Sequence, residues 1–291
     1  ALHKAALSAG ATTWLTSTAA KELIVEDGRV KGVRTQTSVQ TTNYLAAAVV
    51  MATGGFASNL DMIYQRCPQL RKHRILEGSA VGARGEGHRI IEGLGGVTTH
   101  MDELWLYVFS TPDHRDPSGR RGLAVRGLPD AIWVNVQGRR FHNESLYGGA
   151  SGAHAVLRQE PAECWTILDS AMRDGVTVTD PYYYAEGSND PNREKISEFL
   201  RESPHVKSSS TIEGLAKEIG VPGSALDETV ARYNSFIDKG LAQDPDFGRT
   251  LAGLRRIVHP PFYAIHFFPL ARKNFGGVKT DLRCRVMSKH Y

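Results

Sequence analysis

Apolar residues recur along the chain in patterns that predict short helices and strands. The first ten residues have the spacing of the back half of an amphipathic helix, and Gly10 ends it. Two β-rich runs follow, 12–25 and 29–37, joined at Asp27-Gly28, which is a strong hairpin signal. A further short strand comes next. The chain is therefore expected to open with a helix and a small antiparallel sheet.

A continuous apolar run over residues 45–52 has the pattern of a buried strand. It leads directly into Thr53-Gly54-Gly55-Phe56, and a short helix is predicted over 59–65. Glycine permits a tight turn and a close approach of the backbone to a ligand. The same residues also suit a plain corner between a strand and a helix, so this segment alone does not decide between the two.

A second glycine turn opens another predicted helix. Gly85 and Gly87 precede a helix with Ile90, Ile91 and Leu94 on its buried face, which Gly95-Gly96 ends. Backbone amides at such a start are well placed for an anion or a dinucleotide. The sequence G-x-G-x-x-G occurs nowhere in the chain, so this turn is not a Rossmann fingerprint.

The middle of the chain, from about 101 to 261, is punctuated by proline. A strand over 132–136, a turn at Gln137-Gly138 and a return strand over 139–141 are predicted. Two helices follow over 211–219 and 223–240. We expect the apolar residues at helical spacing in the second of them to be core and not cofactor contacts: Leu226, Val230, Tyr233, Phe236 and Ile237.

Composition places the chain among soluble globular proteins. Its 291 residues are 41% hydrophobic and 23% charged, which is enough for two domains. The net charge of +4 comes from scattered basic residues, which we expect to be solvated or ion-paired, and it excludes a nucleic-acid tract. No apolar run is long enough for a membrane span. Three cysteines far apart fit neither zinc nor disulfides, so a cytoplasmic setting is expected.

Both ends of the sequence look unfinished. The opening helix has no N-cap, and residues 278–287 have the pattern of a strand and turn with nothing to close it. We expect the chain to be a piece of a longer protein. An intact mass of about 31.9 kDa for the natural gene product would refute this.

Several local patterns follow one another in a fixed order along the chain. They are GRVKGV (28–33), ATGGF (52–56), GEGHRIIEGLGG (85–96), IWVNVQGRRFHNES (132–145), LDETVARYNSFIDKG (226–240) with DPDFGR (244–249), and PPFYAIHFFP (260–269) with GGVKTD (276–281). Together they resemble the FAD-dependent flavoprotein family of fumarate reductases, succinate dehydrogenases and 3-ketosteroid dehydrogenases, known as FAD-binding type 2. The resemblance covers about residues 1–287, but only the middle of the family's length.

The resemblance implies a fold of class α/β and α+β. A partial FAD-binding domain of the two-dinucleotide-fold kind would comprise residues 1–104 and 272–291, interrupted by an α+β capping domain over 105–271. The glycine fingerprint would lie before residue 1, and a last helix facing the flavin ring after residue 291. FAD contacts are implied for the backbone of Ala19 and Ala20 near adenine, for Thr53, Gly54 and Gly55, and for Glu86, where the family usually has Asp.

The resemblance implies hydride transfer between flavin N5 and a carbon–carbon bond next to a carbonyl or carboxylate, with an acid or base for the proton. Four fumarate reductase residues are replaced: two histidines by Ser110 and by the 272–274 segment, a donor arginine by Gly148, and a relay glutamate by Leu123. Arg126 survives. These losses argue against fumarate reduction and place the chain nearer the ketosteroid dehydrogenase branch.

Four residues are the catalytic candidates. Tyr147 stands close to where the ketosteroid branch has a tyrosine, and an ordinary phenol, with a pKa of about 10, needs a cation such as Arg126 or Arg272 to act as a base. Arg272 and Lys273 would suit a carboxylate or enolate oxygen. Tyr147 as a loop aromatic and the cations as a solvated hinge pair remain open. We interpret His114 and His142 as ordinary polar residues, and no metal site is indicated.

The implied partner is a small molecule with a carbonyl or carboxylate, and the electron acceptor is not indicated. Two alternatives stay open: a tricarballylate-type dehydrogenase, which the cations at 272–273 would suit, and a binding or cap module without redox activity. Because the pyrophosphate-binding turn is absent from the sequence, we expect the chain by itself to bind no FAD and to be inactive.

Overall fold

Short elements make up the fold. A computed structural model describes residues 2–11, 13–147 and 151–289. The α-helices in this part are α1 (Leu2–Ser8), α2 (Leu60–Arg66), α3 (Glu86–Gly93), α4 (Ser151–Leu157), α5 (Arg193–Glu202), α6 (Ile212–Ile219) and α7 (Gly223–Asp238). The strands are β1 (Ala19–Glu26), β2 (Arg29–Gln36), β3 (Thr41–Leu45), β4 (Leu76–Glu77), β5 (Thr98–Thr99), β6 (Leu104–Tyr107), β7 (Ser110–Pro112), β8 (Gly122–Arg126), β9 (Ile132–Val134), β10 (Cys164–Leu168), β11 (Thr177–Val178), β12 (Val206–Ser209), β13 (Phe262–Phe267), β14 (Leu270–Asn274) and β15 (Gly277–Val278). The protein is thus a mixed α/β protein with small sheets.

Contacts divide the chain into two compact units. Unit 1 comprises Ala1–Gly54, Glu86–Thr98 and Val278–Tyr291, and unit 2 comprises Gly55–Gly85 and Thr99–Gly277. The boundaries of the FAD-binding and capping domains given above rest on the resemblance, and they stay a prediction.

Unit 1 contains the predicted helix and hairpin. β1, β2 and β3 form an antiparallel sheet in that order. Asp27 and Gly28 both have positive φ, 50° and 72°, which is the backbone that a two-residue hairpin turn requires. The hairpin prediction is confirmed, although the first strand begins at Ala19 and not near residue 12.

The prediction of a buried strand over residues 45–52 is wrong. Leu45 is 74% exposed and Val50 is 88% exposed. β3 ends at Leu45, and one further backbone bond, from Ala46 N–H to the Lys31 carbonyl, continues the ladder. An apolar run becomes a buried strand only where neighbouring strands pair with it. Among the described strands, none pairs with residues 46–54.

The two helices after the glycine segments are confirmed. Asn59 caps α2, and its Oδ1 accepts a bond of 3.2 Å from Met62 N–H. α3 ends at Gly93, and the N–H of Gly96 bonds the Ile91 carbonyl at 2.9 Å. Leu94 was predicted on the buried face, but it follows the last helical turn and is exposed, whereas Ile91 is buried.

Unit 2 is built on three sheets. The largest is antiparallel in the order β12-β13-β10-β9, and the others are β11-β8-β7 and β4-β14-β6. The central strand β10 is buried throughout. The predicted turn at Gln137-Gly138 is present, but its return strand is reduced to one bridge between Val134 and Arg140.

The predicted helix pair is α6 and α7. Thr211 caps α6 at its start and Gly220 ends it with φ 70°. Leu226, Val230, Tyr233 and Phe236 are buried and Ile237 is partly buried, so the apolar stripe of α7 is core, as predicted. No described helix has the length and apolar character needed to cross a membrane. The three cysteines are free thiols.

Candidate active site

Two of the predicted catalytic residues border one cavity in unit 2. The cavity has a volume of about 410 Å³ and contains both Arg126 and Tyr147 in its wall. Most of the wall is apolar, and a few polar groups converge on it, which is the usual character of a small-molecule site. The lining residues are Phe109, Val125, Arg126, Gly127, Leu128, Pro129, Trp133, Glu144, Ser145, Tyr147, Thr166, Arg249, Leu254 and Phe267.

Arg126 is placed by the end of strand β8. The first four residues of β8 are buried and Arg126 is exposed. Gly127 follows with φ 81°, and a Cβ there would lie 1.8 Å from the Gly175 carbonyl oxygen, so the chain requires glycine at this turn. The Arg126 guanidinium lies over two aromatic rings, 5.1 Å from the Phe109 centroid and 5.6 Å from the Tyr107 centroid. Strand end and aromatic support together fix the cation at the cavity.

Tyr147 follows a short 3-10 turn, Glu144–Leu146, whose start is capped by Asn143. The Tyr147 ring meets Phe109 edge-on, with centroids 5.4 Å apart and planes at 87°. Phe109 therefore contacts both the Arg126 guanidinium and the Tyr147 ring. The phenol is half exposed and borders the cavity.

Sequence reasoning missed Phe109 as part of the site. The available signal was the aromatic alternation Trp105, Tyr107, Phe109, although strand β6 ends at Tyr107 and residues 108–109 form a bend. Tyr107 and Phe109 stack with centroids 4.9 Å apart. These two rings, and not Trp105, form the aromatic surface under Arg126.

A buried ion network forms one side of the cavity. Glu144 accepts from Arg140 Nε at 2.8 Å, from Arg249 Nη1 at 2.9 Å and from the backbone N–H of Trp133 at 3.1 Å. Asp244 lies 2.6 Å from Arg140 Nη1. Burial disfavours the Arg140 cation, but the bond to Glu144 and both carboxylate charges outweigh it and hold the Arg140 pKa above its ordinary range.

The expectation that basic residues are solvated or ion-paired holds for the arginine pairs, with one addition. Arg139 makes an exposed pair with Glu228, whereas its neighbour Arg140 is in the buried network. Burial of an arginine with two carboxylates was not predicted from the sequence. The RRFHNE and DPDFGR segments supply all four charges, so their spacing carried the signal.

Arg126 also borders a second cavity of unit 2, of about 750 Å³, together with Arg272 and Arg121. Arg272 donates to the Gly78 carbonyl. Arg121 is paired with Asp180 at 3.0 Å. Burial raises the pKa of Asp180, but the backbone N–H of Tyr182 and the two arginines Arg121 and Arg115 lower it by more, so it lies below its ordinary value.

Lys273 lies apart from both cavities. It is exposed, and its Nζ is 5.8 Å from the centroid of the Trp105 ring. The register of β14 against β6 shifts between Ala271 and Lys273, so regular strand alternation does not hold there. Arg272 borders the second cavity and Lys273 borders neither. Of the four candidates, the structure brings Arg126 together with Tyr147 and with Arg272, but not with Lys273.

Two of the segments implied in FAD binding meet in unit 1. Gly87, in the first turn of α3, packs so closely on Thr53 that a Cβ there would lie 2.0 Å from Thr53 Oγ1. Gly54 has φ 73°, and a Cβ at that position would meet nothing within 4 Å, while Glu86 is exposed at the start of α3. Free N–H groups of a helix start favour an anion. These residues fit one part of a dinucleotide.

The remaining cofactor candidates are placed separately. Ala19 and Ala20 are exposed at the start of β1, an outer strand of its sheet. Gly55 belongs to unit 2, where a Cβ would lie 2.0 Å from Asn274 Oδ1. The FAD contacts implied for these residues stay a prediction.

Two of the positions where the family's fumarate reductase residues are replaced hold side chains that do not ionise, Ser110 and Leu123. Ser110 and Leu123 are both buried. Gly148 lies outside the described residues. His142 bonds the Leu146 carbonyl at 3.1 Å, and His114 is 6.1 Å from the Phe199 ring. No group of three metal-ligating side chains occurs in the described ranges.

Comparisons with known proteins identify the family of the chain. The family model described as FAD binding domain matches residues 1–291. A 3-oxosteroid 1-dehydrogenase of Mycolicibacterium smegmatis is 28% identical over 94% of this chain and 50% of its own length. A fumarate reductase (cytochrome) of Shewanella frigidimarina is 30% identical over 92% of this chain and 42% of its own length.

Solved structures show the same fold. The 3-ketosteroid delta1-dehydrogenase from Sterolibacterium denitrificans, in complex with 1,4-androstadiene-3,17-dione, superposes with a TM-score of 0.76 at 24% identity, over 99% of this chain and 54% of that one. The chain thus spans about half the length, or less, of these relatives. Since the family model covers every residue, the chain belongs to the FAD binding domain family of flavoproteins.

Proposed function

We propose that the protein containing this chain is a FAD-dependent oxidoreductase that moves a hydride between flavin and a carbon–carbon bond next to a carbonyl or carboxylate. This chain would contribute a partial two-dinucleotide-fold FAD-binding domain interrupted by an α+β capping domain. The observation that supports this best is the shared cavity of Arg126 and Tyr147, a cation and a phenol on an otherwise apolar wall.

Three residues of the cavity have distinct roles in this proposal. Arg126 donates hydrogen bonds to the substrate carbonyl oxygen and stabilises the charge that develops there. Tyr147 exchanges a proton at its phenol oxygen with the carbon next to the reacting one. Phe109 contacts both side chains and orients them, and the apolar wall excludes water. FAD, when bound, supplies the two-electron chemistry.

Fumarate reduction is not the reaction we propose. The replaced positions described above leave Arg126 without a second donor arginine at the sequence position of Gly148 and without a relay carboxylate at Leu123. A ketone next to the reacting bond needs one cation, whereas a dicarboxylate needs two. The ketosteroid-like branch therefore fits these residues better.

A second candidate, a tricarballylate-type dehydrogenase, is favoured by one observation. Arg126, Arg272 and Arg121 all border the 750 Å³ cavity, and such a lining suits a polycarboxylate. Asp180 and Glu186 also border it and offset part of that charge. The position of Lys273 does not add to this candidate.

The experiment uses the intact natural gene product. Bound flavin absorbs near ~450 nm, and its presence separates a flavoenzyme from a module without redox activity. For the 291-residue chain by itself we propose neither bound FAD nor activity, because the glycine fingerprint is absent from its sequence. A cyclic ketone and a tricarboxylate, each offered with an artificial electron acceptor, distinguish the two substrate classes.

Variants of the flavin-loaded protein test the two roles. We expect Arg126→Gln and Tyr147→Phe each to lower kcat/KM by about 10²- to 10³-fold with the flavin still bound. Arg139→Gln, which removes an exposed arginine paired with Glu228, is the matched control and is expected to keep full turnover. Unchanged turnover in both test variants would show that the cavity is not the catalytic site.

A further inference from the structure

We propose that Gly175 is a positioning residue for Arg126. Its backbone contact with Gly127 fixes the turn that follows Arg126, and through that turn it sets the place of the guanidinium at the cavity. The catalytic role of Arg126 belongs to the proposed function, and in that respect the inference rests on it. The contact itself, and its effect on where the Arg126 side chain lies, do not require turnover.

The first observation is that two glycines far apart in the sequence contact each other reciprocally. A Cβ at Gly127 would lie 1.8 Å from the Gly175 carbonyl oxygen, and a Cβ at Gly175 would lie 2.6 Å from the Gly127 carbonyl oxygen. Both distances are well inside van der Waals contact, and close-packed protein interiors do not absorb such an overlap without movement. A methyl group on either residue would therefore force the two backbones apart.

The second observation is that the backbone conformation does not itself require glycine at position 175. Gly127 has φ 81°, whereas the φ of Gly175 lies outside the left-handed region. Gly175 ends the 3-10 turn Arg173–Gly175, and its N–H bonds the Met172 carbonyl at 3.0 Å. Among the described residues, a Cβ at 175 would meet within 4 Å only the carbonyl group of Gly127. Alanine at 175 is therefore a clean probe of this one contact.

The third observation indicates which of the two turns would move. Met172 and Val176, on either side of the 3-10 turn, are only 2% and 0% exposed. The Val176 carbonyl also accepts a bond of 2.9 Å from Arg193 Nη1. Arg126 and Gly127, by contrast, are both exposed. A methyl group at 175 is therefore expected to displace the turn that carries the Arg126 side chain.

The fourth observation is that the segment after Gly175 runs along the whole of β8. β11 pairs with β8 in a register that sets Thr177 opposite Arg126. Beyond β11, the Asp180 carboxylate accepts a bond of 3.0 Å from Arg121, the residue before β8. Residues 175–180 therefore hold both ends of β8. A change at the glycine contact is expected to move only the end that carries Arg126.

The kinetic test is Gly175→Ala in the intact, flavin-loaded gene product, assayed with the cyclic ketone or the tricarboxylate, whichever it turns over. We expect kcat to fall about 10- to 100-fold while KM changes less than about threefold, because a displaced cation loses stabilisation of the transition state. Gly214→Ala is the matched control. A Cβ there would lie 2.3 Å from Ser209 Oγ, but Gly214 is on α6 and borders neither cavity. This control is expected to keep its kcat and KM.

A double variant separates positioning from a general loss of structure. If Gly175 acts through Arg126, Gly175→Ala added to Arg126→Gln lowers kcat/KM by less than about twofold more. Losses that multiply in the double variant would overturn the proposal, because Gly175 would then act elsewhere. An unchanged kcat in Gly175→Ala, in a protein that Arg126→Gln impairs, would overturn it as well.

Crystal structures of the two alanine variants supply a readout that needs no turnover. Both variants are expected to fold, with Tm within about 8 °C of the wild type. We expect the Arg126 guanidinium to move by about 1 Å relative to the Phe109 ring in Gly175→Ala, and to stay in place in Gly214→Ala. An unmoved guanidinium in Gly175→Ala would overturn the proposal whatever the kinetics. A moved guanidinium, in a protein that is inactive or that Arg126→Gln leaves fully active, would contradict the proposed function alone.

Discussion

Arg139 and Arg140 are adjacent in the chain and have opposite surroundings. The Arg139 side chain is 51% exposed and pairs with Glu228, whereas the Arg140 side chain is 5% exposed and is held by Glu144 and Asp244. Nothing in the dipeptide itself distinguishes them. The difference arises from partners distant in sequence: Arg140 forms a bridge with Val134 of β9 and pairs with Asp244, whereas Arg139 pairs with Glu228 on α7.

The stability of the buried network can be measured with this pair. Arg140→Gln leaves Glu144 and Asp244 buried with one cation fewer, so we expect a loss of about 3–5 kcal/mol in the free energy of unfolding. Arg139→Gln, the matched control, is expected to cost less than about 1 kcal/mol, because its pair is exposed. Urea unfolding measures both. Equal losses would show that burial of the network contributes little.

The histidine His205 gives a prediction for pH dependence. Burial, followed by the nearby charges of Arg74, His266, Lys207 and His114, lowers the His205 pKa to about 4 from 6.5. Above pH 6.5 the ring is neutral in both states and contributes nothing. As pH falls from 6.5 towards 4, the unfolded chain binds a proton that the folded chain does not, so stability is lost.

The expected size of that loss is about 1–2 kcal/mol by pH 4, since the ring is only partly buried. Denaturation from pH 7.5 to 4 should show the wild type losing this much more than His205→Gln. His259→Gln, at an exposed position, is expected to follow the wild type. If all three proteins lose stability in parallel, other groups cause the acid sensitivity.

Helix α3 shows how an element is specified by two glycines with different roles. A Cβ at Gly87 would lie 2.0 Å from Thr53 Oγ1, whereas a Cβ at Gly93, in the last turn of the same helix, meets nothing within 4 Å. The close approach at Gly87 joins two segments that the family resemblance implicates in FAD binding. Gly93 has no such contact.

Alanine at these two positions separates packing from helix propensity. We expect Gly87→Ala to displace Thr53 from α3, lowering stability by about 1–3 kcal/mol and weakening FAD binding by the intact gene product. Gly93→Ala is expected to be neutral or to stabilise by up to about 1 kcal/mol. Thermal unfolding and flavin titration measure the two effects. Normal flavin affinity in Gly87→Ala would show that the close packing of α3 on Thr53 is not needed for cofactor binding.

Elements with a local cause were predictable from the sequence, and those that depend on distant partners were not. Asp27-Gly28 fixes its hairpin through the φ angles of two residues, and α7 has its own apolar stripe. The run over 45–52 has the composition of a strand, but pairing decides strand formation and the sequence does not display it. The family resemblance indicated Arg126 and Tyr147 as candidates, and both border one cavity, but their catalytic roles stay a prediction. Thr166 in the wall of that cavity was not predicted, because its place comes from the pairing of β10 with β9.

At the scale of the whole molecule, the apolar core is distributed unevenly between the two units. Among the described residues, the buried hydrophobic side chains belong to unit 2 with the exception of Ile91. Unit 1 has many exposed apolar residues, including Trp14, Val39 and Leu45. Burial of apolar surface is the main favourable contribution to folding, so the two units should differ in local stability.

Hydrogen exchange distinguishes this effect from simple strand length. The β1–β2 ladder pairs strands of eight residues, whereas β10 and β13 have five and six residues but are mostly buried. If burial determines protection, the amides of β10 and β13 exchange at least about tenfold more slowly than those of β1 and β2. Trypsin then cuts first within β1 and β2, at Lys21, Arg29, Lys31 or Arg34. If ladder length determines it, β1 and β2 are the more protected. Mass spectrometry measures the exchange rates and identifies the trypsin cleavage sites. Slower exchange in β1 and β2 than in β10 and β13 would show that unit 1 is stabilised by something other than buried apolar side chains.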